Sequence, residues 1–158
     1  MQVELRVRGV PEVPDVTEDV PVEVMGENRF RVLLSPGMVE GLAAGDEFEV
    51  IDEKSREFRV LKRGGNFCVW YFFPEEEMNR GSEYKLLRER IAEIGGRLDG
   101  GGSTTLIFTV PAASGFDRIA DFFDEAVLLV KGASWQFSNA YDPILRVPLP
   151  WWSREVKG

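Results

Sequence analysis

Two groups of acidic residues have the residue types and spacing that metal binding or acid–base chemistry would use. They are Glu75, Glu76 and Glu77, which are consecutive, and Asp117, Asp121 and Asp124, which recur at helical spacing. Carboxylates brought together can hold a divalent cation or act as general acid and base. However, the glutamates are predicted to lie in a loop, and the aspartates lie opposite an apolar helical stripe, as water-facing residues do. We therefore interpret both groups as surface carboxylates.

Other residue types argue against most remaining kinds of catalytic site. The sequence contains no histidine, which removes the commonest general base and most zinc sites. Its one cysteine, Cys68, lies in an apolar run without a nearby basic residue, so a thiolate nucleophile is not expected. The glycines at 100–102 lack the lysine of a phosphate loop and are interpreted as a turn. We expect no catalytic residue, no metal and no cofactor, and therefore no enzymatic activity.

Short strands joined by tight turns are predicted for residues 1–65. Val3, Leu5 and Val7 alternate with charged residues, which is typical of a half-buried strand. The segments "VPVEVM" and "RFRVLL" flank "GEN", and "EFEVI" and "REFRVLK" flank "DEKS", as in hairpins. The pattern predicts a small all-β lobe, either a β-barrel or a curled antiparallel sheet.

Residues 66–141 predict an α+β lobe. The run "NFCVWYFF", ended by Pro74, is typical of a strand covered on both faces. An apolar stripe predicts a helix over 82–94, and a second helix follows a capping box of Ser114 and Asp117. The segments "LIFTVP" and "SWQFSNAY" add strands. The order strand, helix, strand, strand, helix, strand predicts a ferredoxin-like βαββαβ unit, with both helices on one face of a four-stranded antiparallel sheet.

The tail at 142–158, "DPILRVPLPWWSREVKG", combines three prolines with the pair Trp151 and Trp152. It is too rich in proline to predict a helix or a central strand. Because an exposed tryptophan pair would lower solubility, we expect the tail to pack on its own domain. The alternative is a docking peptide for a partner or for a second copy of the chain.

Composition narrows the classes of partner. The 158 residues carry a formal net charge of −8, and six carboxylates but no Lys or Arg lie between Val10 and Asn28. Nucleic-acid binding, which needs clustered basic residues, is therefore not expected. No signal peptide or membrane span is recognisable, and a lone thiol suits a reducing compartment, so we expect a cytoplasmic protein.

The segments "VPVEVMGENRFRVLLSPGMVEGLAAGDEFEVID" and "VLKRGGNFCVWYFF" carry a resemblance to a known family. The stretch from Glu18 to Glu77 resembles the bacterial family "domain of unknown function 4265", and the later "ERIAEIGGRLDGG" and "LIFTVP" also fit it, over about 120 residues. Residues 35–37 depart from the family, which tends to have aromatic residues there, and the tail lies outside the resemblance. The resemblance implies no catalytic residues. It implies a small cytoplasmic accessory protein, and some members of the family look like immunity partners encoded beside secreted toxins.

These observations predict a non-enzymatic acidic domain that binds a basic protein partner, with an immunity protein for a bacterial toxin as the leading hypothesis. A small-ligand sensor built from paired ferredoxin-like sheets is the alternative, and an enzyme using carboxylates alone is disfavoured. Whether the chain is a monomer or a homodimer stays open. The candidate partner-binding residues are Glu12, Asp15, Glu18, Asp19, Glu75, Glu76, Glu77, Asp117, Asp121, Asp124, Trp151 and Trp152.

Overall fold

The structure is a computed structural model that describes residues 1–7, 16–74, 81–102 and 104–157, with the backbone alone for 154–157. Within these residues the chain forms two antiparallel sheets and three α-helices. The fold therefore mixes helix and sheet, and sheet predominates.

The first five strands form one sheet in chain order, which we call the N-terminal sheet. They are β1 (Gln2–Arg6), β2 (Thr17–Gly26), β3 (Arg29–Val32), β4 (Glu47–Asp52) and β5 (Glu57–Lys62). Each strand pairs antiparallel with the next. Leu5 and Val20 are fully buried in a core that contains Phe48. Because only one face of these strands is buried, apolar and polar residues alternate along them.

The N-terminal sheet is curled, but it does not close into a barrel. Its first and last strands approach each other where the backbone N–H of Arg6 donates to the carbonyl oxygen of Arg56 over 3.1 Å. The Arg56 side chain also donates to the carbonyl oxygen of Glu4 over 2.9 Å. No ladder joins β1 to β5 in the described part of the chain. The prediction of a closed barrel, one of two forms considered, is therefore wrong.

The second sheet, which we call the C-terminal sheet, has the strand order β7-β8-β6-β9, and all its neighbours are antiparallel. Its elements are β6 (Asn66–Phe72), α1 (Gly81–Arg90), β7 (Arg97–Gly101), β8 (Thr105–Pro111), α2 (Phe116–Ala126) and β9 (Ser134–Phe137), and α3 (Pro150–Lys157) follows. Short 3-10 turns lie at Ile91–Ile94, Ala112–Ser114 and Val127–Leu129.

Both α1 and α2 pack on one face of the C-terminal sheet. Leu87 of α1 and Phe123 of α2 belong to one buried cluster with Val69 and Phe108 of the strands. The rings of Phe108 and Phe123 meet edge to face, with centroids 5.4 Å apart. The apolar stripes predicted for the two helices are therefore the faces that form this core.

The opposite face of the C-terminal sheet is covered by the chain between β3 and β4. Trp70 of β6 donates from its indole nitrogen to the carbonyl oxygen of Pro36 over 2.8 Å. The fully buried Cys68 lies beside it, 3.6 Å from the same oxygen. Because both of its faces are covered, β6 is apolar without alternation, as the run "NFCVWYFF" predicted.

Two local predictions from the second half are wrong. Ser114 does not cap α2, because its hydroxyl donates to the carbonyl oxygen of Ile94 over 2.6 Å and Gly115 occupies the capping position. The tail does contain a helix, since α3 begins at Pro150. Proline is tolerated at the first helical position, where its missing N–H would have had no intrahelical partner.

None of the described helices is both long and apolar enough to cross a lipid bilayer.

Candidate functional site

A groove beside β9, an edge strand of the C-terminal sheet, is a candidate site for a ligand or a partner. Its volume of about 360 Å³ lies within the range usual for binding pockets. We call it the β9 groove. It is lined by Glu40, Phe116, Ala120, Trp135, Gln136, Phe137, Tyr141 and Arg146. These residues come from separate parts of the chain, so the site arises from the fold and not from one motif.

Stacked aromatic rings form a rigid floor for the β9 groove. Phe116 stacks on Trp152 of α3, with centroids 4.3 Å apart and planes 8° apart. It also stacks on Phe137 of β9, with centroids 5.0 Å apart. Trp152 is fixed in turn, because its indole nitrogen donates to the carbonyl oxygen of Ala140 over 2.6 Å. The floor therefore presents apolar surface whose shape is set before anything binds.

Carboxylates border the groove on the α2 side. Asp124, one turn beyond the lining residue Ala120, accepts a hydrogen bond from the indole nitrogen of Trp135 over 3.0 Å. Asp117 and Asp121 are exposed on the same helix. All three aspartates face solvent as the sequence predicted, and Asp124 additionally orients a residue of β9.

Two side chains of opposite charge also line the groove. Glu40 is half-buried and Arg146 is exposed, and both line the cavity. Within the described residues, neither side chain has an ion-pair or hydrogen-bond partner. Both charges are therefore free to meet a ligand.

A tight turn after β9 holds two large aliphatic side chains in solvent. One carboxylate oxygen of Asp142 accepts the backbone N–H groups of Ile144 and Leu145 over 2.9 and 2.8 Å. These two hydrogen bonds hold the pKa of Asp142 below its usual value, and the bond from Leu145 has the larger effect. Ile144 is 83% exposed and Leu145 is 70% exposed. The turn adjoins the groove, since Tyr141 and Arg146 belong to both.

Glu18, a predicted partner-binding residue, instead anchors the chain that covers the C-terminal sheet. Its carboxylate accepts the backbone N–H groups of Gly37, Met38 and Val39, each over 2.9 Å. This anchored segment leads directly into Glu40 of the groove. The neighbouring Asp19 is exposed and was also predicted.

An ion pair between the buried Asp46 and the half-buried Arg63 joins the residue before β4 to the connection between β5 and β6, and it offers no site for chemistry. The Asp46 carboxylate accepts from the Arg63 guanidinium over 2.9 Å and from the backbone N–H groups of Ala43 and Gly64 over 3.0 and 2.9 Å. Burial raises the pKa of Asp46, and the Arg63 charge opposes that rise. Since its hydrogen bonds come from the protein itself, we assign this carboxylate a structural role.

A second buried carboxylate, Asp99, joins the two halves of the chain. It accepts hydrogen bonds from the backbone N–H of Ser35 over 2.8 Å and from the hydroxyl of Thr109 over 2.6 Å. The Arg97 guanidinium donates to its other oxygen over 2.6 Å. The Asp99 side chain is only 1% exposed, so it is not accessible to a ligand.

Several predicted residues fall outside this region or outside the described residues. Glu12 and Asp15 lie outside the described residues, as do Glu75, Glu76 and Glu77. Trp151 donates from its indole nitrogen to the carbonyl oxygen of Asn139 over 3.0 Å, and Trp152 is only 7% exposed. Both tryptophans thus pack on their own domain, as expected for the tail, and Trp152 offers a partner little surface.

Metal binding and thiol chemistry find little support in the described residues. In this part of the chain, no three acidic or cysteine side chains come together as potential metal ligands. Burial raises the pKa of the Cys68 thiol, which keeps it protonated and unreactive at neutral pH.

Sequence reasoning missed the residues that complete the groove and its border. Glu40, Tyr141 and Arg146 are far from β9 or beyond it in sequence and carry no motif. A signal did exist for Ile144 and Leu145. An aliphatic pair between prolines in a polar tail is a reason to expect exposed apolar surface.

Comparisons with known proteins extend this description. A crystal structure titled "Novel crystal structure of a hypothetical protein from Neisseria gonorrhoeae" is similar, with a TM-score of 0.64 and 17% sequence identity over 87% of this chain and 94% of that one. At that identity the likeness concerns the fold alone. No curated protein matches the chain in sequence. The model of one family, "Domain of unknown function (DUF4265)", matches residues 18–132. That match confirms the resemblance seen in the sequence, and the chain belongs to the DUF4265 family.

Proposed function

We propose that this chain is a non-enzymatic protein-binding domain that covers the surface of a basic partner. Its binding surface would comprise the β9 groove, the aspartates of α2 and the aliphatic turn after β9. The observation that carries the proposal is the exposure of Ile144 and Leu145, 83% and 70%, on a turn constrained by Asp142. Apolar side chains held in water beside charged residues are typical of protein interfaces.

Charge supports a basic partner over an acidic one. The chain has a net charge of −8, and Asp117, Asp121 and Asp124 are exposed beside the groove. Opposite charges accelerate association and suppress binding of the wrong partner. An acidic rim around an apolar centre would therefore select a partner whose contact surface is basic at its edge.

The absence of histidine supports a binding role, since the sequence lacks the commonest catalytic base. Asp46 and Asp99 take their hydrogen bonds from the protein itself. Inhibition by surface coverage needs no such base. We further propose, from the resemblance of some family members to immunity proteins, that the partner is a bacterial toxin domain. Its location would be the cytoplasm, where a lone buried thiol such as Cys68 stays reduced.

Site-specific photo-crosslinking would test the binding proposal. A photo-reactive residue at Leu145 is expected to capture a basic protein in the cells that make this chain. The matched control places the same residue at Ile51, which is 50% exposed on the N-terminal sheet. The captured protein is then purified and its dissociation constant measured by calorimetry.

In the purified complex, Leu145→Asp is expected to weaken binding at least about 10-fold, because charging the apolar centre of an interface removes a main contribution to affinity. Ile51→Asp should change affinity by less than about 2-fold. If the two positions capture the same proteins equally, or if the two substitutions have equal effects, the proposed surface is wrong. In the toxin form of the proposal, co-expression of this chain restores growth to cells that express the partner.

We also propose that residues 66–141 are a ferredoxin-like unit. The strand order β7-β8-β6-β9 supports this assignment, as do the positions of α1 between β6 and β7 and of α2 between β8 and β9. In that arrangement β9 is an edge strand, which places the groove at the border of the unit.

A small-ligand sensor is the second candidate, and the volume of the β9 groove is the observation that favours it. Pairing of two sheets face to face is disfavoured, because residues 33–45 cover the face that the helices leave free. A ligand would therefore have to enter the groove itself. Thermal-shift screening of metabolites would test this, since a ligand at one hundred times its dissociation constant adds roughly 2.7 kcal/mol.

A further inference from the structure

We propose that an extended, basic segment of the partner binds along the free edge of β9 as an additional strand of the C-terminal sheet, seated in the β9 groove. The proposal rests on the proposed protein-binding function and specifies the structural form of that binding. Four features carry it: the direction of the β9 backbone groups, the position of the groove, the composition of β9 and the charges beside it.

The backbone of β9 offers hydrogen-bonding groups to solvent. Phe137 pairs with Val69 and Gln136 with Trp70, and the N–H of Ser138 donates to the carbonyl oxygen of Cys68 over 2.8 Å. Bonded and non-bonded pairs alternate along an antiparallel ladder. The N–H and C=O groups of alternate residues therefore point away from β6. These residues are Trp135 and Phe137, and β9 is the last strand of its sheet.

The groove follows this same edge. Trp135, Gln136 and Phe137 are consecutive lining residues, and α2 contributes Phe116 and Ala120 on the helix side. A four-residue edge spans roughly 13 Å, which suits a partner segment of about four to six residues. Main-chain hydrogen bonds would hold such a segment, while alternate side chains would contact the aromatic floor.

The sequence of β9 lacks three of the common protections of an edge strand, although the strand is short. Exposed edges are commonly guarded by lysine, proline or a bulge, which discourage pairing with another chain. The four residues of β9, "SWQF", include neither lysine nor proline, and its pairing with β6 shows no register shift. The edge is therefore competent to pair.

Charge complementarity selects the occupant. Asp124 accepts a hydrogen bond from Trp135, and Asp121 is exposed on the same helix. Glu40 precedes Gly41, whose N–H donates to the carbonyl oxygen of Ser138 just after β9, and the Glu40 side chain has no partner among the described residues. Side chains of an extended segment alternate between the two faces of the sheet, so apolar ones would enter the groove while the basic ones are attracted by the charge of these carboxylates. Arg146 is the one cation among the lining residues in the described part of the chain, and it would oppose a basic segment. A second copy of this acidic chain would bring like charges together and is disfavoured.

The test uses the full chain and a capped peptide of about eight residues that alternates lysine and valine. Two further peptides carry backbone N-methyl groups, one on every lysine and the other on every valine. Each blocks the N–H groups on one edge of the extended peptide. Because each lost backbone hydrogen bond lowers affinity by roughly 2- to 10-fold, the two methylated peptides should differ at least about 10-fold in dissociation constant.

Variants of the protein test the orientation of the segment at low salt. Glu40→Lys and Asp121→Lys are each expected to weaken peptide binding by about 3- to 10-fold, and Arg146→Gln to strengthen it by about 2- to 5-fold. Glu53→Lys makes the same charge change on an exposed turn of the N-terminal sheet and should alter binding by less than about 2-fold.

Four outcomes would overturn this proposal. Equal affinity for both methylated peptides would mean attraction by charge without strand pairing. Equal effects of the groove variants and of Glu53→Lys would place binding elsewhere. Dimerisation of the free protein through β9, seen by light scattering, would make a second copy the occupant. If the partner captured through Leu145 binds the groove variants as tightly as the unaltered chain, protein binding stands and strand addition alone fails.

Discussion

Replacement of Glu18 by glutamine is expected to destabilise the protein by about 2–4 kcal/mol, although the side chain changes by a single heavy atom. In the folded chain its carboxylate accepts the backbone N–H groups of Gly37, Met38 and Val39, each over 2.9 Å. Glutamine keeps one acceptor oxygen, which can still serve Met38 and Val39. Its amide nitrogen would then face the N–H of Gly37, and two donors cannot bond to each other.

The magnitude follows from the three hydrogen bonds. A bond to a charged group contributes roughly 1.5–3 kcal/mol and a neutral bond about 0.5–1.5 kcal/mol. In Glu18→Gln, two of the hydrogen bonds remain but no longer have a charged acceptor, and the third is lost. Together these changes cost about 4 kcal/mol, and water at this half-buried site replaces part of the lost bonding. For a chain of this length the change corresponds to a fall of roughly 4–16 °C in melting temperature.

The assay is urea denaturation of the variant beside a matched control. Asp19→Asn removes the same charge from the next residue, which is exposed, and should change the free energy of unfolding by less than about 0.5 kcal/mol. Equal effects of the two substitutions would refute the claim that Glu18 anchors the segment over the sheet. A loss confined to Glu18→Gln would support it.

The remaining predictions concern the close approach of Gly64 to Gly45, the aliphatic turn and the thiol. Gly64→Ala should destabilise the fold by roughly 3 kcal/mol or more, because a Cβ there would lie 2.4 Å from the carbonyl carbon of Gly45, and denaturation measures the loss. The pKa of Asp142 is lowered from 3.8, so its charged carboxylate holds the turn in place above that pH. The turn should become disordered as the pH falls through the folded-state pKa, and hydrogen exchange of the Leu145 amide measures this change. Because burial raises its pKa, Cys68 should react with a thiol reagent only after unfolding.

Each of these predictions has a result that would contradict it. Gly102→Ala places a Cβ in open space and should be tolerated, so equal losses would remove the argument from close backbone approach. In Asp142→Asn the acid loosening of the turn should vanish; if it persists, another group titrates. Rapid labelling of Cys68 in the folded protein would show that the covering segment opens readily.

Local patterns predicted the elements because most of them bury one face, while β6, covered on both faces, is apolar throughout. Val3 and Leu5 alternate along β1 and are buried in the core of the N-terminal sheet, and Ile119 and Phe123 form the stripe of α2 and are buried in the core of the C-terminal sheet. The start of α2 was misread at Ser114, because a contact with a residue twenty positions away competes with local capping. Capping rules that consider only neighbouring residues do not take such contacts into account.

The candidate site was less predictable because distant segments build it. Glu18 was predicted to face a partner, yet it holds residues about twenty positions further along the chain. The groove combines Glu40, Phe116 and Arg146, which only the completed fold brings together. By contrast, the solvent-facing aspartates of α2 follow from helical spacing alone, and the sequence identified them correctly.

Amide hydrogen exchange of the complex tests the central claim most directly. On binding of the captured partner, the amides of Trp135 and Phe137 should become protected, because they point away from β6 in the free protein. The amide of Gln136, which the ladder already pairs with β6, should change little, and so should the N-terminal sheet. Protection confined to the N-terminal sheet, with Trp135 and Phe137 still exchanging freely, would contradict the account.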